Sequence, residues 1–247
     1  MVHRYGPHRD NYFDLSSPTG ERLGVAVVIH GGFWRSAYDA SLGRDLARDL
    51  SARGWVACNI EYRRVGGGGG WPTTLQDVAD AIDLLAELDL DLSNVIAIGH
   101  SAGGHLATWA AGRRDLPTSA PGSSPRVNLT GVVSQAGVLS LRTGAATGVG
   151  GTAILDLLGG APEEVPERYV WADPIGQVPL EVPVVCLHGH DDDSVPFALS
   201  KDYVETAGAI GADVELVECD GGHMAHIDPA SSAWEAVVRR LPRFVTK

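Results

Sequence analysis

Apolar residues along the chain form two alternating patterns, short unbroken runs and longer stretches with helical spacing. Unbroken runs such as Val25–Ile29 predict strands buried on both faces, because a half-exposed strand would alternate apolar and polar residues. In 40–53, apolar residues recur every three or four positions, which predicts an amphipathic helix. The predicted strands are 23–29, 55–61, 94–98, 127–134, 182–187 and 213–218, and the predicted helices are 40–53, 74–88, 102–111, 197–210 and a last one from near Ser232.

Strands that alternate with helices predict an α/β fold, in which a mostly parallel sheet is covered by helices on both faces. We expect one domain over 1–247 with about seven to eight strands, Tyr12–Leu15 being a short candidate at the N-terminal edge. The segment 137–180 breaks the alternation and is rich in Gly and Pro, with short helical pieces near 152–158 and 163–171. We interpret 137–180 as a small lid inserted above the carboxyl ends of the strands, where ligands bind in such sheets.

Composition narrows the class of protein. With 44% hydrophobic and 20% charged residues among 247, the chain has a globular composition. Its 19 basic and 31 acidic residues give a net charge of −12, which argues against nucleic acid and anionic membranes as partners. The first twelve residues lack the apolar stretch of a secretory signal, and the three cysteines lack CxxC spacing. These features predict a cytoplasmic protein with reduced cysteines.

The strongest chemical signal is Gly99-His100-Ser101-Ala102-Gly103, which matches G-x-S-x-G. It follows a predicted strand and opens a predicted helix, the context that a nucleophile elbow requires. Small residues flank Ser101, as a tight turn demands. We therefore predict that Ser101 is a catalytic nucleophile at the positive end of the helix that follows it.

A serine nucleophile needs a base, and the base needs an orienting carboxylate. Because the acid precedes the histidine along such chains, His223 and His226 are the candidate bases. We favour His223, which directly follows a strand and a glycine turn, whereas His226 would be a surface residue or part of a pocket wall. The acid should lie on the loop 188–196, and the residue pattern alone does not choose among Asp191–Asp193.

Backbone N–H groups must also stabilise the developing oxyanion. We predict that they come from Ala102 and from the loop containing Gly32 and Phe33, where glycine lets the backbone approach a ligand closely. The candidate residues of the substrate pocket are Trp34, Trp71, His100 and Met224. The run 66–70 consists of five glycines and is either a flexible connector or a hinge that lets Trp71 lean over the pocket. No phosphate-loop or zinc signature occurs, so we expect neither a cofactor nor a metal.

These motifs together resemble those of α/β-hydrolases, within the esterase branch that includes kynurenine-formamidase-like enzymes. His30-Gly31-Gly32-Phe33-Trp34 is similar to the oxyanion loop of that branch, and Gly99–His105 to its nucleophile motif. His188-Gly189 through Val195-Pro196 is similar to H-G-x-x-D-x-x-V-P, a resemblance that implies Asp192 as the acid. In that branch, the position of Met224 is commonly Phe and the position of His226 is usually apolar. These departures concern the substrate pocket and not the triad.

The resemblance implies a serine hydrolase that cleaves a small carboxylic ester or an aryl formamide through an acyl-enzyme. One alternative is an acyltransferase or a tailoring enzyme that uses the same acyl-enzyme for transfer, cyclisation or elimination. Another is a non-catalytic binding module, which the presence of both Ser101 and His223 disfavours. The expected partner is a small-molecule acyl substrate. The sequence leaves the oligomeric state open, with a homodimer as one alternative.

Overall fold

The computed structural model describes residues 1–245 and contains one eight-stranded sheet. The strands are β1 (Val2–Arg4), β2 (Tyr12–Ser16), β3 (Gly24–Ile29), β4 (Trp55–Ile60), β5 (Val95–His100), β6 (Gly131–Gln135), β7 (Val184–Gly189) and β8 (Val214–Cys219). Neighbours follow the order β1-β2-β4-β3-β5-β6-β7-β8. β1 pairs antiparallel with β2, and β2 pairs antiparallel with β4. Every pair from β4 to β8 is parallel. The prediction of a mostly parallel sheet is confirmed.

Helices cover both faces of this sheet. They are α1 (Arg44–Ala52), α2 (Thr73–Leu84), α3 (Ala102–Ala111), α4 (Leu141–Thr147), α5 (Ala153–Leu158), α6 (Pro166–Ala172), α7 (Ala198–Ala209) and α8 (Ser232–Val238). Short 3₁₀ turns span Ala40–Gly43, Leu85–Glu87, Arg113–Asp115, Pro174–Gln177, His223–Ile227 and Leu241–Phe244. None of the helices within the described residues is long and apolar enough to cross a membrane.

Two separate apolar cores explain why the central strands are unbroken apolar runs. Along β3, Val25, Val27 and Ile29 pack into the core beneath α2, α3 and α7. The residues between them, Ala26 and Val28, pack on the opposite face with α1 and α8. Since successive side chains of a strand point to opposite faces, burial on both sides leaves no place for polar residues.

The strand order reverses beside β3. The chain passes from β3 to β4 on one side, and then β5 pairs with β3 on the other side. In open α/β sheets, such a reversal leaves a crevice at the carboxyl ends of the two strands, which is where ligands bind. The loops after β3 and β5 therefore begin at one common crevice, and these loops contain the predicted oxyanion residues and Ser101.

The N-terminal edge and the inserted segment differ in detail from the prediction. The strand predicted at Tyr12–Leu15 occurs as β2, but β1 was not predicted, because its three residues show no apolar pattern and its partner defines it. Within 137–180, helices α5 and α6 match the two predicted pieces closely, and α4 is additional. The strand predicted at 127–134 begins only at Gly131, which shortens it at its start.

Candidate active site

The turn between β5 and α3 forces Ser101 into an unusual backbone conformation. Ser101 has φ 57° and ψ −120°, a combination that L-residues rarely adopt and that costs about 1–3 kcal/mol. The turn closes because its neighbours lack side chains: a Cβ on Gly99 would lie 2.0 Å from Gly103 O, and a Cβ on Gly103 would lie 2.0 Å from Ile29 O. The geometry is that of the nucleophile elbow predicted from the sequence.

The Ser101 side chain is enclosed and has no hydrogen-bond partner. Only 1% of the residue is exposed, and Oγ finds no donor or acceptor among residues 1–245. Its amide donates to Gln135 O at 2.8 Å, which fixes the turn to the neighbouring strand β6. The hydroxyl thus lies at the N-terminal end of α3 and makes no competing hydrogen bond within residues 1–245.

Asp192 and His223 are brought together by the loops after β7 and β8. His223 Nδ1 lies 2.7 Å from Asp192 Oδ2, and the Asp192 side chain is wholly inaccessible to solvent. Asp191 and Asp193 are exposed, and neither contacts an imidazole of the described chain. Burial by itself would raise the pKa of Asp192, but hydrogen bonds from His188, His223 and the Val195 amide hold that pKa below its usual range.

Another histidine fixes the backbone of His223. His100 Nε2 donates to the carbonyl oxygen of His223 at 2.9 Å, and the two rings lie 4.4 Å apart. His100 is fully buried, and burial, with His223 and His226 close by, lowers its pKa well below the ordinary value. His100 is therefore a neutral donor that holds the turn in which His223 lies. We predicted it as a pocket residue, and its buried ring also supports the candidate base.

His226 is not a surface residue, which was one of the two alternatives that the sequence left open. It is only 1% exposed, its carbonyl accepts from Gln135 Nε2 at 2.6 Å, and burial lowers its pKa to about 4. It makes no hydrogen bond to Asp192 in the described chain. The structure therefore pairs Asp192 with His223 and leaves His226 behind it in the interior.

The loop after β3 has the features expected of an oxyanion site. Gly32 has φ 108°, and Phe33 and Trp34 follow at 50° and 54°, three consecutive residues with left-handed backbone. The amides of Phe33 and Ala102 donate no hydrogen bond within residues 1–245. Two free N–H groups on loops that begin at the same crevice are available to a developing oxyanion.

A buried polar cluster anchors this loop from behind, and we did not predict it. His30 Nε2 lies 3.1 Å from Glu61 Oε1, and the Tyr62 hydroxyl donates to His30 O at 2.8 Å. Glu61 also accepts from the amides of Ala40 and Tyr62 at 2.8 and 2.9 Å. The signal that could have revealed it is an acidic residue, Glu61, directly after the buried strand β4.

Backbone hydrogen bonds hold the glycine run 66–70 in place at both ends. The amides of Gly67 and Gly69 both donate to Arg64 O, at 2.8 and 2.9 Å. The next amide, that of Trp71, donates to Leu157 O of α5 at 2.7 Å. The run thereby ties Trp71 to the inserted segment.

The remaining candidate pocket residues lie in different surroundings. The half-buried Trp71 ring lies 6.1 Å from that of Trp171, whereas Trp34 is fully buried, edge-on to His105 at 5.1 Å. Met224 is 56% exposed beside His223. A surface depression of about 330 Å³ is lined by Asp191, Asp193, Ser194, Gly222, His223, Met224 and Ala225. The roles of Trp34, Trp71 and Met224 as pocket residues stay predictions. Residues 1–245 contain no group of three or more His, Cys, Asp or Glu arranged to hold a metal ion.

Comparison with known structures defines the class. A truncated carbohydrate esterase from gut microbiota superposes with a TM-score of 0.82 at 20% identity, covering 100% of this chain and 95% of that one. A propionate-bound thermophilic esterase from Thermogutta terrifontis gives 0.78 at 23% identity, covering 99% and 92%. At such identities the likeness establishes the fold alone, and that fold is the α/β-hydrolase fold, as predicted.

The family follows from the sequence. The BD-FAE family matches residues 13–206, and the chain belongs to this α/β-hydrolase esterase family. A probable isoprenylcysteine alpha-carbonyl methylesterase of Arabidopsis thaliana is 28% identical over 88% of this chain and 49% of its own length. Esterase LipQ of Mycobacterium tuberculosis is 27% identical over 90% of this chain and 56% of its own. The chain thus spans about half the length of these relatives. The predicted kynurenine-formamidase branch stays a prediction.

Proposed function

We propose that this chain is a serine ester hydrolase that cleaves small carboxylic esters through an acyl-enzyme on Ser101. The observation that supports this most is the buried hydrogen bond of 2.7 Å between Asp192 and His223, which lies beside the strained serine turn. A carboxylate in this position holds the imidazole with its proton on Nδ1, so that Nε2 is free to act as a base. The esterase names of the relatives agree with such chemistry.

The proposed reaction begins when Ser101 Oγ attacks the ester carbonyl and His223 Nε2 takes the hydroxyl proton. The amides of Ala102 and Phe33 hold the oxyanion of the tetrahedral intermediate. When the intermediate collapses, His223 returns the proton to the departing alcohol and the acyl group stays on Ser101. A water molecule then attacks the acyl carbon while His223 takes its proton, and the acid leaves as Ser101 is regenerated.

Ser101 Oγ makes no hydrogen bond to His223 before substrate binds. Such bonds are often long or poorly aligned in unliganded enzymes and tighten only in the substrate complex. In the proposed reaction, an ester that occupies the crevice completes the contact between nucleophile and base. The strained backbone then limits Ser101 Oγ to a narrow set of positions, which favours attack on the carbonyl.

A panel of substrates can identify the acyl group and the leaving group that the site accepts. We propose p-nitrophenyl acetate, butyrate and octanoate, an N-formyl arylamine for the formamidase resemblance, and an acetylated sugar for the carbohydrate-esterase neighbour. We expect the highest kcat/KM for a short ester, and product analysis with added alcohol or amine acceptors reports transfer. In Ser101→Ala, hydrolysis should fall at least about 10⁴-fold. Activity that persists in Ser101→Ala, or a panel without ester turnover, would refute the proposal.

A further inference from the structure

His188 is a fully buried imidazole that has no part in the proposed reaction. It lies near the end of β7, four residues before Asp192, and its side chain is wholly inaccessible to solvent. Its Nε2 lies 2.9 Å from Val195 O and 3.3 Å from Asp192 Oδ2, and its Nδ1 lies 2.8 Å from Ser200 Oγ. Both ring nitrogens are therefore occupied, and the ring cannot reach a substrate.

These contacts fix the orientation of the His188 ring. A carbonyl oxygen can only accept, so Nε2–H of His188 donates to Val195 O at 2.9 Å. The same nitrogen lies 3.3 Å from Asp192 Oδ2. On the other side of the ring, Nδ1 lies 2.8 Å from Oγ of Ser200, which is also fully buried, in α7.

The Asp192 carboxylate consequently lies between two imidazoles. Its Oδ2 contacts His223 on one side and His188 on the other, at 2.7 and 3.3 Å. Its Oδ1 accepts from the amides of Ser194 and Val195, at 2.9 and 2.8 Å. Three hydrogen bonds and the contact with His188 hold the carboxylate in one orientation, and His188 also donates to the carbonyl oxygen of Val195.

We propose that His188 and Ser200 form a positioning pair, which fixes the Asp192 carboxylate and through it the orientation of the His223 ring. The inference rests on the proposed function, since it assigns these two residues a task only if Asp192 and His223 are the acid and the base. His188 also contacts the ring of Phe197 edge-on at 5.7 Å, so simple packing is the rival explanation.

Four variants separate positioning from packing. His188→Leu removes the donor and keeps an apolar side chain, whereas His188→Gln places a side-chain N–H near the position of Nε2. Ser200→Ala removes the hydroxyl that contacts Nδ1 of His188. Tyr203→Phe is the matched control, because Tyr203 is a buried residue of the same helix whose hydroxyl has no partner within residues 1–245.

We expect kcat for an aryl ester to fall about a hundredfold in His188→Leu and about tenfold in Ser200→Ala, with KM within about twofold of the parent. His188→Gln should recover most of the lost kcat, and Tyr203→Phe should match the parent. In the free enzyme, the downfield ¹H NMR signal of the His223 Nδ1 proton should shift in Ser200→Ala and disappear in His188→Leu. The acid limb of the pH–kcat profile should move in the same two variants.

Equal kcat, pH profile and proton signal in Ser200→Ala and Tyr203→Phe would overturn the inference, even if His188→Leu did not fold. Equal losses in His188→Gln and His188→Leu, with an unmoved proton signal, would assign His188 to packing. The two proposals can fail separately. Activity that survives in Ser101→Ala would refute the proposed function. The NMR signal needs no turnover, so it would still report the state of the Asp192–His223 hydrogen bond.

Discussion

Two halves of the candidate site are built by opposite means. In the half formed by the loops after β7 and β8, three hydrogen-bond donors surround the Asp192 carboxylate, and His188 Nε2 lies 3.3 Å from it. In the half formed by the loops after β3 and β5, Ser101 Oγ has none within residues 1–245, and Ser101 has a φ of 57°. The first half is positioned by hydrogen bonds between side chains and backbone, and the second by backbone geometry.

The difference follows from what each group must do. A buried carboxylate is costly unless donors surround it, and a fully bonded one also holds its partner imidazole still. In the proposed reaction the Ser101 hydroxyl must form a new hydrogen bond, to His223 Nε2, when substrate binds, so it is positioned by the backbone turn and not by fixed hydrogen bonds. The strain at Ser101 and the bare amides of Phe33 and Ala102 reduce stability, and the apolar cores on both faces of the sheet offset that cost.

The largest expected effect comes from breaking the bonded half. In Asp192→Asn, the amide favours the wrong tautomer of His223, and we expect kcat for an aryl ester to fall about 10⁴-fold. Asp193→Asn is the matched control, since Asp193 is an exposed neighbour whose side chain accepts a hydrogen bond from Ser194 Oγ and makes none to a histidine within residues 1–245. Steady-state kinetics on purified proteins measure both. If the two variants lost activity equally, or if Asp192→Asn stayed active, the assignment of the acid would be wrong.

A smaller effect is expected from distorting the backbone-built half. In Gly32→Ala, the new Cβ would lie 2.5 Å from the Tyr38 side chain at a φ of 108°, so the loop must move and its amides with it. We expect kcat to fall about 10²-fold, as for the loss of one oxyanion donor. Gly151→Ala tests strain alone, because Gly151 has φ 69° with nothing within 4 Å. A Gly32→Ala enzyme no slower than Gly151→Ala would remove this loop from the oxyanion site.

The smallest effect concerns stability and tests whether buried neutral histidines support both halves. Burial lowers the pKa of His226 and of His105 to about 4, and lowers that of His100 well below its ordinary value. Below pH 6.5 these histidines bind protons in the unfolded chain but not in the folded chain, so the free energy of unfolding falls as the pH falls. Each histidine should contribute about 1.4 kcal/mol per pH unit down to its folded pKa. Asp173, whose pKa burial raises to about 6, acts in the opposite direction.

Urea unfolding at pH 7, 6 and 5 measures this dependence, with His226→Gln and His100→Gln as the variants that flatten it. Each variant should lower the slope by up to about 1.4 kcal/mol per pH unit. A free energy of unfolding that stays constant from pH 7 to pH 5 would show that these imidazoles are protonated in the folded state, against their buried positions.

The sequence predicted well whatever is local. The turn around Ser101 follows from a strand, small residues and a helix in succession, and the structure forms it as expected. Apolar runs such as Val25–Ile29 predicted the central strands, because a strand that is buried on both faces is apolar on both. The last helix begins at Ser232, where it was predicted, and Ser231 caps it by accepting from the Trp234 amide.

What the sequence did not predict depends on pairing across the fold. The residue pattern alone did not choose among Asp191–Asp193, and only the family resemblance implied Asp192, because the choice depends on His223, which lies 31 residues away after a different strand. The cluster of His30 and Glu61, and the contact of His188 with Ser200, likewise join separate elements. The strand β1 exists only through its pairing with β2. Periodicity and motif spacing contain no information on such partners.

The central claim is that Ser101 is the activated nucleophile, and covalent labelling tests it most directly. The intact protein would be treated with a fluorophosphonate probe and the site of the adduct mapped by peptide mass spectrometry. We predict one adduct per chain, located on Ser101, with labelling slowed in Asp192→Asn and abolished in Ser101→Ala. An adduct on another residue, or unlabelled protein that still hydrolyses esters, would contradict the account.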